Sequence, residues 1–480
     1  MAAFLEKINT WVWGPWLLIL FIGTGIFLTV RLKFLPWRNL GFALRQVVLD
    51  IIHPGGSGEG DISPFQSLMT AMAAMMGTGN IVGVATAMVL GGPGALVWMM
   101  LSAWICMSAS LVESVLTMKY RQKNAFGQIC GGPMYVMEKG LRPRVFGKFL
   151  AVLFSVFTLF ASLGMGNMTQ ANSVSQALMD SFHIPYSLTG LILFFLSLLV
   201  LLGGIACIGK VCGILVPVMS VAYFLAAILV IVCNWRNVPD GVREMLFMAF
   251  SPGAVAGGLG GTVIAGISKS MRFGISRGVF SNEAGLGSAP IAAAAAKTDD
   301  PVRQSYITMT GTFFDTIVVC TATGLAIASS GLLGAVDAKG ELITGVALTN
   351  LVFETALGPA GRLIITIGIV MFAFATIIGW EYYGEKALEY LLYTREGKST
   401  SRYGKDFGRH LKKSRRVIFI YRVIYCGCAY LGAVASLKAV WNFSDIMNGF
   451  MAVPNLVCIL IMSREACHLL LSWNYGKMSA

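Results

Sequence analysis

The sequence predicts an all-α protein that crosses a membrane many times. Of its 480 residues, 56% are hydrophobic and only 12% are charged, whereas a soluble domain carries roughly 25% charged residues. Apolar runs close to the ~20 residues that a membrane helix needs recur along the chain. One of them, residues 66–90, has no formal charge but is interrupted at its middle by Gly77-Thr78-Gly79-Asn80. A helix broken at mid-membrane points to the binding site of a transporter.

Eleven apolar spans follow one another along the chain. The span 259–294 is too long for one straight crossing, and its glycines predict a second break, which we place at 272–278. The eleven spans are residues 12–30, 66–90, 93–118, 149–176, 186–207, 212–233, 259–294, 305–333, 360–393, 417–437 and 443–463.

Lysine and arginine are distributed unevenly between the two predicted faces. The net charge is +13, and of the 36 basic residues 25 lie in the loops after spans 1, 3, 5, 7 and 9 and in the C-terminal tail. By the positive-inside rule this face is cytoplasmic. We therefore expect a multi-pass protein of the cell (inner) membrane with its N-terminus outside and its C-terminus in the cytoplasm. Basic loops that face anionic headgroups explain the charge without a nucleic-acid partner.

The ten spans after the first form two groups of five with opposite orientation. Each group opens with a glycine-interrupted span, as in transporters built from inverted repeats. The prediction rests on span count and charge parity. It gives an extra N-terminal transmembrane helix with a cytoplasmic loop (1–65), a first five-helix repeat (66–233), an extracellular connection (234–258), an inverted second repeat (259–463) and a cytoplasmic tail (464–480).

Acidic side chains within the spans are costly and are therefore functional candidates. We expect Glu283 to pair with an arginine of its own span and to hold the second break together. Asp315 is expected to be a cation ligand or a structural partner, and the sequence favours neither. Glu113 is expected to be structural.

The sequence contains no motif for covalent chemistry. It has no nucleophile–base pair, phosphate-binding loop or metal motif, and its ten cysteines and four histidines form no ligand cluster. We therefore do not expect an enzyme. A channel or a ligand sensor is the alternative from another class, since either would keep a pocket without needing the second break or a coupling site.

Four blocks of sequence carry a resemblance to a known family. They are Met-Gly-Thr-Gly-Asn-Ile-Val-Gly-Val-Ala-Thr-Ala at 76–87, Gly-Gly-Pro-Met-Tyr-Val at 131–136, Gly-Val-Phe-Ser-Asn-Glu-Ala-Gly-Leu-Gly-Ser-Ala-Pro-Ile-Ala at 278–292 and Thr-Ile-Ile-Gly-Trp-Glu-Tyr-Tyr-Gly-Glu-Lys at 376–386. In this order they resemble the alanine or glycine:cation symporter family. The resemblance implies a leucine-transporter-like five-plus-five inverted repeat, with one extra N-terminal helix here. It also implies uptake of small neutral amino acids with sodium, and in some members with protons.

A zwitterionic substrate then needs hydrogen-bond donors for its carboxylate. Unwinding at the first break frees amides at the start of the second half-helix, where the helix dipole is positive. We predict that the N–H groups of Thr78 and Gly79 bind the carboxylate. Asn80 offers an oxygen to a cation beside it, or else a hydrogen bond between helices.

A second cation site is implied by similarity to the fold. The backbone carbonyls of Ala73 and Met76 are expected to meet the hydroxyl of Thr376, since sodium prefers oxygen ligands as other hard cations do. The alternative for Thr376 is a bond back to its own helix. The family pattern often has a serine before this threonine, where this chain has Ala375, so the coupling stoichiometry stays open.

Further side chains are expected to line the substrate pocket. Gln170 matches a family position that contacts substrate, with interhelical hydrogen bonding as the alternative. Trp380 is expected to form a wall of the cavity, with an interfacial aromatic belt as the alternative. From the second break we expect Phe273, Gly274 and Ser276, with core packing as the alternative for Phe273.

These observations together predict a sodium-coupled symporter that imports alanine and glycine by alternating access. The expected partners are the amino acid, the co-transported sodium ion and the lipid bilayer. A proton-coupled or broader neutral amino-acid carrier is the alternative. The order of substrates, the preference for D or L forms and the oligomeric state stay open.

Overall fold

The computed structural model describes residues 2–53, 55–124, 127–250, 262–396, 407–435 and 437–477. Some predicted segments fall partly outside these ranges. They are the end of the extracellular connection (251–258), the start of the seventh span (259–261), part of the basic loop (397–406) and the end of the tail (478–480).

The described residues are almost entirely helical. Up to residue 250 the helices are α1 (Ala2–Val12), α2 (Pro15–Arg31), α3 (Leu35–Arg38), α4 (Leu40–Ile52), α5 (Pro64–Met75), α6 (Val82–Gly91), α7 (Gly94–Tyr120), α8 (Pro133–Gly140), α9 (Arg144–Leu163), α10 (Thr169–Phe182), α11 (Tyr186–Leu201), α12 (Gly204–Cys233) and α13 (Val238–Phe250). After residue 261 they are α14 (Thr262–Asn282), α15 (Ala289–Ala293), α16 (Pro301–Thr312), α17 (Thr321–Ser330), α18 (Gly345–Leu357), α19 (Pro359–Glu396), α20 (Phe407–Val434), α21 (Leu437–Ile461) and α22 (Ser463–Lys477).

Short elements of other types connect these helices. Thr78–Asn80 and Trp235–Asn237 are 3₁₀ turns, while Gly164–Met168 and Phe313–Cys320 are π-helical and join α9 to α10 and α16 to α17. Strands β1 (Gln122–Lys123) and β2 (Ile129–Cys130) form an antiparallel pair.

Eight helical segments of the described chain are long and apolar enough to cross a membrane. They correspond to eight of the eleven predicted spans. The predicted span 186–207 contains the shorter apolar helix α11, and the spans 66–90 and 259–294 are each divided by non-helical residues. The total of eleven crossings and the segment boundaries stay predictions.

The first broken helix lies at the centre of the protein. Its first half, α5, begins with a capping box in which the Ser63 hydroxyl accepts the Gln66 N–H at 3.1 Å and the Gln66 side chain accepts the Ser63 N–H at 3.2 Å. Helix α5 packs against α12, α15, α16 and α19, and α6 packs against α7, α14 and α18. Helices α1 and α2 lie outside this centre, against α21 and α7.

The second break lies later in the chain than predicted. Helix α14 continues to Asn282, and the chain then leaves helical geometry until α15. Gly285 and Gly287 have φ of 93° and 80°, which favours glycine because a side chain is strained there. The predicted break at 272–278 is therefore wrong.

Two glycines explain this error. A Cβ atom on Gly274 would lie 2.8 Å from the Trp98 Cβ atom, and one on Gly278 would lie 2.8 Å from the Ser102 hydroxyl oxygen. Both glycines therefore serve close packing of α14 on α7, as small residues do between membrane helices, rather than unwinding.

Candidate functional site

The first break is buried and receives polar groups from other helices. Thr78 and Asn80 are both 0% exposed. The Thr78 N–H donates to the Gln170 side-chain oxygen at 3.0 Å, and the Gln170 side-chain N–H donates to the Met165 carbonyl at 3.0 Å. The structure thus brings together two residues predicted to contact the substrate. The Thr78 N–H, which we expected to bind the substrate carboxylate, is hydrogen-bonded here to the Gln170 side-chain oxygen.

Backbone carbonyls and one hydroxyl converge beside this break. The Thr376 hydroxyl oxygen lies 2.9 Å from the Ala73 carbonyl, 3.4 Å from the Met76 carbonyl and 3.0 Å from the Phe372 carbonyl of its own helix. The predicted grouping and its alternative, the bond back to α19, therefore occur together. These oxygens are the kind of ligand that a hard cation takes.

Gly77 allows α5 to approach this group closely. A Cβ atom at this position would lie 2.6 Å from the Thr376 hydroxyl oxygen and 2.9 Å from the Gln170 side-chain oxygen. A side chain at position 77 would therefore push apart the two sets of polar groups.

Asn80 and Asp315 form a second polar group next to the break. The Asn80 side-chain N–H donates to the Asp315 carboxylate at 2.7 Å and to the Asp315 carbonyl at 3.1 Å. The hydroxyls of Ser281 and Thr316 donate to the other carboxylate oxygen at 2.8 Å and 2.7 Å. Asp315 lies in the π-helical segment Phe313–Cys320, and π-bulges are frequent at functional sites. These contacts fit a structural partner, and they leave the role of cation ligand a prediction.

Two buried oxygens at the first break have no hydrogen-bond partner among the described residues. They are the Thr78 hydroxyl oxygen and the Asn80 side-chain oxygen. Buried polar atoms are nearly always hydrogen-bonded. These two oxygens at the helix break are therefore free to accept a contact from a ligand.

The second break is held by its own side chains and by neighbouring helices. The Trp380 indole N–H donates to one Glu283 oxygen at 2.7 Å, and the Ser288 hydroxyl donates to the other at 2.6 Å. The expected pairing of Glu283 with an arginine is wrong, because Arg277 instead forms an ion pair with Asp445 at 2.7 Å. Neutral donors thus satisfy the buried Glu283 carboxyl.

Glu113 takes part in holding the same break. The Asn455 side-chain N–H bonds the Glu113 carboxyl at 2.6 Å and the Gly285 carbonyl at 2.9 Å. Glu113 is therefore paired within the protein, as expected of a structural residue.

Comparison with known proteins identifies the family of this chain. The family profile described as the sodium:alanine symporter family matches residues 1–479. The chain belongs to the sodium:alanine symporter family. The family indicated by the four sequence blocks is thus confirmed, and the protein is a membrane transporter of amino acids rather than an enzyme.

One relative and two solved structures show how far the similarity reaches. A sodium/alanine symporter of Methanococcus maripaludis is 46% identical over 465 residues, which are 96% of this chain and 95% of that protein. The structure of MhsT in complex with L-phenylalanine has a TM-score of 0.56 at 13% identity and covers 84% of this chain and 89% of its own. A Na+-coupled sialic acid symporter in a substrate-bound outward-open state has a TM-score of 0.53 at 14% identity, covering 92% and 86%. These likenesses show the leucine-transporter-like fold.

The remaining predicted residues of this symporter lie at two different places. Trp380 is 0% exposed, so it belongs to the interior and not to an interfacial belt. Phe273, Gly274 and Ser276 lie within helical α14, and Ser276 donates to the Phe273 carbonyl of its own helix at 3.3 Å. Phe273 precedes the observed break at Glu283 by about 15 Å along the helix axis. The pocket-lining role of these three residues stays a prediction.

The sequence reasoning missed two polar residues at the end of α14. Ser281 bonds Asp315, and the Asn282 side-chain N–H donates to the Thr316 hydroxyl at 3.0 Å. A signal was present, since these two residues directly precede Glu283 and the Gly285-Leu-Gly287 turn.

Proposed function

We propose that this symporter imports small neutral amino acids, chiefly alanine and glycine, together with sodium across the cell (inner) membrane by alternating access. Its N-terminus would lie outside and its C-terminus in the cytoplasm. The observation that carries the proposal is the group of oxygens from Ala73, Met76 and Thr376 directly beside the Thr78 amide. The sodium/alanine activity in the name of the 46% identical relative supports the choice of ion and substrate.

In this proposal the substrate carboxylate takes the place of the Gln170 oxygen. Both are hydrogen-bond acceptors, and the Thr78 N–H that now donates to Gln170 at 3.0 Å would donate to the carboxylate. The Gly79 N–H supplies a second donor at the positive end of α6. Gln170 then turns aside, and its amide remains within reach of the bound amino acid.

Sodium would bind to the oxygens of Ala73, Met76 and Thr376. A cation there can be coordinated by all three oxygens at once, whereas the Thr376 hydroxyl has one proton and donates a hydrogen bond to one carbonyl at a time. Binding therefore fixes the end of α5 against α19 and completes the carboxylate site of the break. The unpartnered Asn80 oxygen is a candidate ligand of a cation beside the carboxylate, with Asp315 behind it. One charge that crosses 100 mV gains about 2.3 kcal/mol.

The buried aromatic residue Trp380 would limit the size of the substrate side chain. Trp380 is buried, is fixed by its bond to Glu283 and lies edge-on to Tyr383 with 5.3 Å between ring centroids. A rigid indole near the substrate would favour alanine or glycine over larger residues.

Uptake by the purified protein in proteoliposomes tests the proposal. With an inward sodium gradient and a negative interior we expect alanine to accumulate, and we expect glycine to compete more strongly than serine or D-alanine. Matched vesicles receive a potassium gradient or a proton gradient in place of sodium. Accumulation that is equal without sodium would refute sodium coupling, and accumulation driven by the proton gradient alone would favour the proton-coupled carrier.

A further inference from the structure

A row of buried carboxyl groups runs along α19, away from the proposed sodium site. Glu381, Glu385 and Glu389 are four residues apart and therefore share one face of the helix. Their exposed fractions are 0%, 6% and 1%. The row begins five residues after Thr376, and its far end reaches the loop after α7, where the Glu389 carboxylate accepts from the Asn124 side chain at 3.4 Å.

Two cations neutralise this row only in part. Lys386 forms an ion pair with Glu389 at 2.9 Å. Arg422 of α20 bonds Glu385 through two nitrogens, at 2.9 Å and 2.8 Å, but its nearest approach to Glu381 is 3.7 Å. If all five groups were ionised, three negative charges would face two positive ones. An uncompensated buried charge is strongly unfavourable.

Within this row of three carboxyl groups, Glu381 lacks a hydrogen-bond donor among the described residues. Neither of its oxygens receives a hydrogen bond from an N–H or hydroxyl group of the described residues, although Glu381 lies one helical turn from Glu385 and both carboxyl groups face Arg422. Two carboxyl groups can form a hydrogen bond with each other only when one of them carries a proton. The groups that face Glu381 are Glu385 and Lys386 of its own helix and Tyr421, Arg422, Tyr425 and Cys426 of α20.

Asp61 adds one more charge at the edge of this group. It lies in the loop before α5 and faces Lys386, Lys297 and Arg121, and burial raises the pKa of its carboxyl. Asp61 accepts the Ile129 N–H at 3.0 Å. Its own cations and this bond place it outside the Glu381–Glu385 pair.

We propose that Glu381 is a proton-binding site, in which the protonated Glu381 carboxyl donates to Glu385 while Arg422 holds Glu385. The proton is a ligand distinct from the amino acid and from sodium. Protonation removes the surplus negative charge and supplies the donor that the pair lacks. Glu385 and Glu389 link the site, at intervals of one helical turn, to the loop at Asn124.

Infrared spectroscopy of the purified protein in lipid nanodiscs at pH 7 tests this site directly. The variant Glu381→Gln replaces a neutral acid with a neutral amide of the same shape. Glu341→Gln, at an exposed loop position, is the matched control. We expect the wild-type-minus-E381Q spectrum to show a protonated carboxylic band that shifts in deuterium oxide, and the wild-type-minus-E341Q spectrum to show a carboxylate band.

Thermal unfolding gives an independent comparison within the same row. E381Q is expected to change the unfolding temperature by less than about one degree, because it removes no charge. Glu385→Gln is expected to lower it by several degrees, because the amide can still accept a hydrogen bond from Arg422 but leaves this largely buried cation without its charged partner. A carboxylate band lost in E381Q, or an E381Q protein as destabilised as E385Q, would overturn the proposal. Neither measurement requires transport, so vesicles that fail to accumulate alanine would refute the proposed function and leave the proton site to be decided by these results.

Discussion

The two helix breaks satisfy their polar groups in different ways. At the first break the contacts come from distant helices, namely from Gln170, Thr376 and Asp315, and two buried oxygens are left without a partner among the described residues. At the second break Glu283 is bonded on both oxygens by Trp380 and Ser288. The first break thus leaves polar oxygens available to a ligand, whereas both Glu283 oxygens already have donors within the protein. This difference favours our proposal that the first break binds ligands and that the second has a supporting role.

The largest effect is expected from removing the charge beside the first break. Asp315→Asn keeps the size of the side chain but removes the charge that receives three side-chain donors. Hydrogen bonds to charged groups contribute about 1.5–3 kcal/mol, so sodium-driven alanine uptake should fall by about tenfold or more. Uptake in vesicles, normalised to the amount of inserted protein, measures this. Wild-type uptake by D315N would show that the Asp315 charge is not part of the binding site.

The next largest effect concerns the hydroxyl that joins α19 to α5. Thr376→Val removes an oxygen and keeps the shape, so the sodium concentration for half-maximal uptake should rise about five- to tenfold, the equivalent of roughly 1–1.5 kcal/mol. Thr376→Ser restores the hydroxyl and should stay close to wild type. If the valine and serine variants respond to sodium alike, the hydroxyl is not a ligand.

A smaller and different effect is expected at the second break. In Glu283→Gln the amide oxygen can still accept from Trp380, and the amide N–H can donate to the Ser288 oxygen. We expect the maximal rate to fall by a few-fold while the sodium concentration for half-maximal uptake stays within about twofold of wild type. If E283Q raised the sodium concentration for half-maximal uptake as much as T376V does, the second break would also take part in sodium binding.

The smallest effect should come from a gain of one hydroxyl. Ala375 is 0% exposed and directly precedes Thr376. Ala375→Ser adds an oxygen where the family pattern often has one, and the half-maximal sodium concentration should fall by about two- to threefold, which corresponds to roughly 0.5 kcal/mol. Serine at the exposed position Ala338 is the control. No change in A375S would show that this position does not reach the ion.

The sequence was sufficient where a residue pattern has one physical meaning. An uncharged membrane-length run broken by Gly77-Thr78-Gly79-Asn80 predicted the first break, and similarity to the fold implied the meeting of Ala73, Met76 and Thr376 that the structure contains. Glycine has two meanings, however. At Gly274 it allows close packing and at Gly285 it allows a left-handed backbone, and only the fold separates the two.

Contacts between residues that are far apart in the chain could not be predicted from the sequence either. Arg277 lies six residues before Glu283 in the same span, but the fold places it against Asp445 of α21. Likewise, nothing in the spacing of Gln170 indicated that its oxygen would hold the Thr78 amide. Such contacts depend on how helices far apart in sequence pack together.

We expect the first break to bind sodium and the amino acid as one coupled site. Alanine binding to the purified protein, titrated with sodium in the absence of any gradient, tests this coupling. We predict that sodium tightens alanine binding at least about tenfold, and that T376V loses most of this gain while E283Q keeps it. Alanine binding of equal affinity with and without sodium would show that the two ligands bind independently and that the first break is not a coupled site.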